Sequence, residues 1–180
     1  MFIEIEDLTK EPLCFHHVYA MGEISLAHED ATLNEPVDAD FVLTCEDLNL
    51  HVDGAVETGI RYTCSRCLKE FSRHLSAPFK LAYLPQPKVK REGEEFELKY
   101  EDMEVGFYDG VRLDVNLMVL EQIELALPMK FVCREDCRGL CYKCGADLNE
   151  EACRCDTTDM DSRLGALLQF KKKFEGTEKH

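Results

Sequence analysis

The sequence predicts an α+β fold: a mainly antiparallel β body, one or two helices, and a C-terminal cysteine-rich module of the zinc-knuckle kind. Three observations predict it. Apolar residues alternate at period two through much of residues 41–62, as in half-buried strands. One helical stretch, "VNLMVLEQIELAL", lies between Asp114 and Pro128. Six of the ten cysteines fall within residues 133–155.

Taken in order, "FIEIEDL" alternates well enough for a strand. After a loop with Asn34, Glu35 and Pro36, three stretches read as neighbouring antiparallel strands: "DADFVLTCED", "LNLHVDGAVETGIRYTC" and "FSRHLSAPFKLAYLP". Phe41, Leu43 and Cys45 share a face. Leu50, Val52, Ala55, Val56, Ile60 and Tyr62 continue the pattern, with Asp53-Gly54 read as a bulge or turn. "PQPKVKREGEE" is a loop by its prolines, glycine and dense charge. "FELKYEDMEVGFYDGVRLDV" reads as short strands, with Asp109-Gly110 supplying a hairpin turn. Asp114 is the expected N-cap of the helix. In "DSRLGALLQFKKKF", Leu164, Leu167, Leu168 and Lys171 have the spacing of a short amphipathic helix. Residues 1–128 thus form a β-rich body ending in a helix. Residues 129–180 form a metal module plus terminal helix, packed with the body as one domain.

Bulk properties fit this plan. A chain of 180 residues can bury one respectable core, and 45% hydrophobic with 32% charged residues is ordinary for a globular protein. The start "MFIEIEDLTK" has no basic n-region, and no segment approaches the ~20 apolar residues of a membrane span. A cytoplasmic protein with no membrane partner is expected. Thiols stay reduced there, so clustered cysteines read as metal-binding or catalytic rather than as disulfides.

Spacing sharpens that reading. The cluster runs Cys133-x3-Cys137-x3-Cys141-x2-Cys144-x8-Cys153-x-Cys155. Two thiolates two residues apart, as in Cys141 and Cys144, can grip one ion at ~2.3 Å. Gly145 then permits a tight turn that aims amides at the sulfurs. Cys153 and Cys155 can complete a four-sulfur set, and the distant pair Cys64 and Cys67 in "TCSRCL" can meet Cys133 and Cys137. That makes one or two Zn²⁺ per chain. Cys133, Cys137 and Cys141 could instead share a helical face, which would change the grouping. Cys14 and Cys45 read as core residues. Cys64-Ser65-Arg66-Cys67 could also be a thiol redox pair, although that reading wants a βαβ context. There is no phosphate loop, nucleophile elbow or H-E-x-x-H motif.

The net charge of −15 argues at face value against nucleic acid as a partner. Its distribution is uneven. Nine acidic residues and no Lys or Arg lie between Glu29 and Glu57, whereas Arg61, Arg66, Lys69, Arg73 and Lys80 face only Glu70. Lys171 to Lys173 add a late basic cluster.

Together, "CSRCL", "LDVNLMVLEQIELALPMKFVC", "CRGLCYKCGADLN", "CRC" and "DSRLGALLQF", in this order from about residue 60 to 170, resemble the YceD family. That family is named as the large ribosomal RNA subunit accumulation protein. Tyr142 stands where proline is common, Asp147 where asparagine is common, and Ser162 replaces a proline; no cysteine is lost. The resemblance implies a non-enzymatic, bacterial-type factor supporting synthesis, processing or stability of large-subunit (23S) rRNA. Relatives do not all keep the C-terminal cluster, while the CxRC element is more general, which brings the segment around Arg66 nearer to function.

Counterion release depends on local Lys and Arg contacts, so an acidic chain can meet RNA through one patch. The expected patch is Arg61, Arg66, Lys69, Arg73 and Lys80, joined across the metal site by Lys130, Arg134, Arg138 and Lys143. The competing expectation is an acidic interaction module that docks a basic ribosomal protein.

Overall fold

Two long strands organise the molecule. The computed structural model describes residues 1–8, 11–86 and 105–155. The predicted charged loop from residue 87 onward, the strand expected around Phe96 and the C-terminal helix with Lys171 to Lys173 lie outside them.

The elements, in chain order, are β1 (Phe2–Glu4), a 3-10 turn (Ile5–Asp7), β2 (Leu13–Tyr19), β3 (Ala31–Leu33), β4 (Val37–Glu46), β5 (Asn49–Thr63), β6 (Glu70–Pro85), β7 (Val105–Tyr108), β8 (Arg112–Asp114) and α1 (Val115–Ala126). The main sheet has the order β2-β4-β5-β6-β7, antiparallel except for the parallel β6–β7 pair. β3 pairs with β5 around Arg61, while β4 pairs with β5 from Glu57 to Asn49. β3 and β4 therefore run along the same edge of β5, interrupted at Asn34–Pro36. Thr58 Oγ1 donates to the Glu35 carbonyl at 3.2 Å across that break.

The sheet obeys period two. Phe41, Leu43, Leu50, Val52, Val56 and Ile60 fill its inner face and are buried. Full burial of such side chains contributes roughly 1.5–3 kcal/mol each. The outer face carries Asp38, Asp40, Asp53, Glu57 and Arg61, their alternate neighbours. α1 joins the same core through Val115, Met118, Val119 and Ile123. Asp114 caps it, accepting from the Leu117 amide at 3.2 Å. Pro128 biases Leu127 to extended backbone and ends it.

Several local expectations are corrected. "FIEIEDL" is a strand only to Glu4 and then turns. Asp53-Gly54 is neither bulge nor turn: β5 is continuous there, and glycine is required because a Cβ would stand 2.3 Å from the Asp40 carbonyl oxygen. Ala55 sits on the outer face, opposite Asp40. Asp109-Gly110 does turn the chain, with Gly110 at φ +81. The flanking strands pair elsewhere, β7 with β6 and β8 with β1, so no hairpin forms. Cys14 is exposed on β2 rather than core. Cys133, Cys137 and Cys141 lie outside any helix.

Two candidate metal centres at the end of the long hairpin

The β5–β6 hairpin closes through Cys64–Lys69, and this turn brings two thiols together. Leu68 N donates to the Cys64 carbonyl at 2.8 Å and Cys64 N to the Lys69 carbonyl at 2.9 Å. Leu68 holds φ 59, a left-handed conformation that most residues avoid. The chain leaving α1 is anchored beside the turn. Ser65 donates to the Phe131 carbonyl through its amide at 2.8 Å and its hydroxyl at 3.0 Å. The Phe131 ring lies 4.7 Å from that of Tyr62. Two residues later Cys133 arrives at the turn.

The result is a first cluster of Cys64, Cys67, Cys133 and Cys137, whose sulfurs all lie within 4.8 Å of one another. Cys64 and Cys137 are 3.9 Å apart and Cys67 and Cys133 3.8 Å apart. Four sulfurs bound tetrahedrally at ~2.3 Å would stand ~3.8 Å apart, so this donor set fits a metal ion. The second cluster is Cys141, Cys144, Cys153 and Cys155, also within 4.8 Å of one another. Its sulfurs approach to 3.5 Å (Cys144, Cys153) and 3.3 Å (Cys153, Cys141). Either cluster could hold a metal ion.

Amides favour thiolates in both. Burial pushes the Cys64 thiol up, but the amides of Cys133, Cys67 and Arg66 outweigh it and hold the thiol at about 6. The amides of Cys144 and Lys143 hold Cys141 at about 6. Burial, then the neighbouring sulfurs, push Cys133 up to about 12; the Cys153 and Cys144 sulfurs do the same to Cys155. Bare clusters thus resist multiple ionisation, and a central dication is what makes four thiolates compatible.

Polar contacts join the two clusters. The Asn149 amide donates to Cys137 Sγ at 3.6 Å, and Asn149 Oδ1 accepts from Arg134 at 2.9 Å and from the Arg138 amide at 2.8 Å. Leu140 N donates to the Arg66 carbonyl at 3.0 Å. Lys69 pairs with Asp147 at 2.8 Å and with Glu150. The Lys69 ammonium, then the Asn149 amide, hold the Asp147 carboxyl down at about 2.

The structure does not gather the nine expected basic residues into one patch. Arg61 and Arg73 point to opposite faces, because Arg61 is registered with Ser72 and Arg73 with Ile60. Lys80, on the same outer face as Arg61, pairs with Asp53 at 2.7 Å. Arg66 donates to the Glu135 carbonyl at 3.1 Å and to that of Cys137 at 2.9 Å. Arg73 donates to the Val132 carbonyl at 3.0 Å and, more weakly, to that of Cys133 at 3.3 Å. Arg134 also pairs with Asp136 at 3.3 Å. Arg66, Arg73 and Lys69 fasten the cysteine segment to the hairpin, whereas Arg134 braces that segment internally. Among the described residues, the side chains of Arg61, Lys130 and Arg138 make no ion pair, and Lys143 lies between the knuckle thiols.

Sequence reasoning missed the aromatic surroundings. Phe71, Tyr62, Phe131 and His28 form a chain of ring contacts of 5.5, 4.7 and 5.1 Å. "FSRHL" does alternate Phe71, Arg73 and Leu75, a signal that these share one face.

Among the described residues no helix is long and apolar enough to cross a membrane. No solved structure matches the chain. The Arabidopsis thaliana protein named Large ribosomal RNA subunit accumulation protein YCED homolog 1, chloroplastic, is 24% identical over 164 residues, covering 79% of this chain and 51% of that protein. Homolog 2 from the same organism is 27% identical over 147 residues, 81% of this chain and 62% of its own length. An uncharacterized Mycobacterium leprae protein is 27% identical over 114 residues, 63% of this chain and 49% of itself. The chain thus spans less than two thirds of the length of each of these relatives. A family model, Large ribosomal RNA subunit accumulation protein YceD, matches residues 52–171. That match begins in the long hairpin, takes in all eight clustered thiols and covers more than half of the chain, which belongs to the YceD family.

Proposed function

We propose that the protein is a non-enzymatic ribosome-biogenesis factor, stapled by two zinc ions, that supports synthesis, processing or stability of large-subunit (23S) rRNA. The observation that supports this most is the closed pair of four-sulfur sets joined to the hairpin by cationic side chains, in a family named for large ribosomal RNA accumulation. Four thiolates suit Zn²⁺ and leave no open coordination position, so such a centre reinforces structure and activates no water. Each zinc tetrathiolate would carry about −2, which Arg66, Lys69 and Arg134 are placed to offset. Cys64 and Cys67 are buried, whereas a redox pair needs an accessible thiolate.

Relative levels of the two rRNAs test the reading. In cells lacking the protein, large-subunit rRNA should fall relative to small-subunit rRNA, and restoring the chain should correct the ratio. A normal ratio, with zinc-loaded protein turning over a model disulfide, would hand the case to redox chemistry.

A second reading has its own observation. Asp38, Asp40, Asp53 and Glu57 project from the solvent face of the sheet, a surface suited to a basic ribosomal protein. Salt-dependent capture by rRNA against capture by ribosomal protein separates the two.

A further inference from the structure

We infer that the groove between the inner edge of β6 and residues 128–135 is a binding slot for one unpaired RNA nucleotide. This rests on the rRNA reading above and names the place of contact. The groove has a volume of about 260 Å³ and is walled by half-buried Phe71 and the edges of buried Tyr62 and Phe131, with Arg73, His74, Lys130 and Glu135 at its polar positions. That is below the ~300–1,000 Å³ of pockets for drug-sized ligands, and it suits a group the size of a single base.

Each wall has a matching chemical partner in a nucleotide. Arg73 is held by the Val132 and Cys133 carbonyls, with its guanidinium 5.3 Å from the centre of the half-buried Phe71 ring. A guanidinium fixed over an aromatic ring presents its outer plane as a stacking platform for an extruded base. Lys130 is exposed and has no ion pair among the described residues. It also borders a second, larger groove of about 570 Å³ whose lining includes His28, Ser65, Asp30 and Glu124. Lys130 thus borders both grooves and is the cation offered to a backbone phosphate passing between them. Glu135 can accept from an N–H on a base edge, and the larger π-face of a purine such as adenine stacks more strongly than that of uracil.

A duplex keeps its bases stacked and cannot use the slot. This separates the proposal from general attraction of RNA to surface lysines. The slot also accounts for RNA contact by a chain of net charge −15: it needs one free cation and an aromatic wall rather than a broad basic field.

The test uses the zinc-loaded full chain and fluorescent eight-nucleotide probes: oligoadenylate, oligouridylate and an RNA duplex of equal length. Oligoadenylate should bind most tightly and the duplex least. Lys130→Ala should reduce the salt slope for the single strand by ~0.7. Phe71→Leu should weaken binding about fivefold or more, because the Arg73 guanidinium loses the ring that backs it. Zinc content should be unchanged in both. Lys130→Ala alters an exposed side chain, so it remains informative should Phe71→Leu fold poorly. Parent-like binding by Lys130→Ala, or preference for the duplex, overturns the slot. If the parent binds no probe while rRNA levels in cells still depend on the protein, the slot falls and the assembly role stands. If rRNA levels do not depend on it, the assembly role falls with the slot.

Discussion

The two cysteine clusters have the same donors and opposite architecture. The first takes Cys64 and Cys67 from the turn of two long paired strands, and Cys133 and Cys137 from beyond α1. The second draws Cys141, Cys144, Cys153 and Cys155 from one local stretch without a strand. In the first cluster all but the half-buried Cys133 are buried, whereas in the second only Cys141 is buried, Cys153 and Cys155 are half-buried and Cys144 is exposed. The entropy of closing a loop grows with its length, so a cross-link joining distant segments restrains the unfolded chain more than a local one. The first cluster therefore fastens the fold, and the second makes a small module rigid.

The largest expected effect follows from that asymmetry. Cys67→Ser should lose its metal and lower the melting temperature by ~10 °C or more, because the segment after α1 loses its anchor to the hairpin. Cys144→Ser should lose one metal and shift melting by less than ~4 °C. Metal analysis of both variants alongside thermal unfolding decides this. Equal shifts would mean that the clusters form one cooperative unit.

A smaller effect probes the joint between them. Gly139 has φ +75, and a Cβ there would stand 2.8 Å from the Arg66 carbonyl oxygen, the atom that accepts from Leu140. Gly139→Ala combines a left-handed penalty of roughly 1–2 kcal/mol with a backbone clash. Both clusters should keep their metal while the Leu140 amide loses much of its hydrogen-exchange protection. Unchanged protection would show that Asn149 and Lys69 alone hold the joint.

What the sequence disclosed follows from where each signal is stored. The hairpin strands were legible because one face is buried, so Phe41, Leu43, Val52 and Ile60 had to alternate with polar neighbours. β2 gave a weaker signal because His17 occupies an inner-face position between Phe15 and Tyr19. The break between "DADFVLTCED" and "LNLHVDGAVETGIRYTC" falls at the turn of Asp47 and Leu48, but no glycine there signals that both take positive φ; Tyr108 donates to the Leu48 carbonyl at 2.7 Å and helps fix it from far along the chain. Cysteine spacing suggested that Cys64 and Cys67 meet Cys133 and Cys137, because four-thiol arithmetic left those pairs over. Which arginines face RNA and which fasten the metal segment depends on strand parity and on carbonyls about sixty to seventy residues away, as for Arg66 and Arg73. Local charge counting cannot reach that.

The smallest expected effect compares the residues that follow the two CxxC pairs. Gly145 follows Cys144 with φ 74, and Leu68 follows Cys67 with φ 59. Both positions take left-handed backbone, which closes each turn so that Cys64 N donates to the Lys69 carbonyl and Cys141 N to the Ala146 carbonyl. Leucine there costs roughly 1–2 kcal/mol, which the surrounding hairpin sustains. Its side chain is 63% exposed, so little burial compensates. Leu68→Gly relieves that strain but gives back roughly 0.5–1 kcal/mol of unfolded-state entropy. The net should lie between no change and about 1.5 kcal/mol of stabilisation. Gly145→Leu should instead cost ~1–2 kcal/mol, and this would be backbone strain alone, since nothing lies within 4 Å of a Cβ built there. Denaturant unfolding of the metal-loaded variants measures both. Destabilisation of Leu68→Gly by more than ~1 kcal/mol would show that the leucine side chain itself braces the hairpin turn.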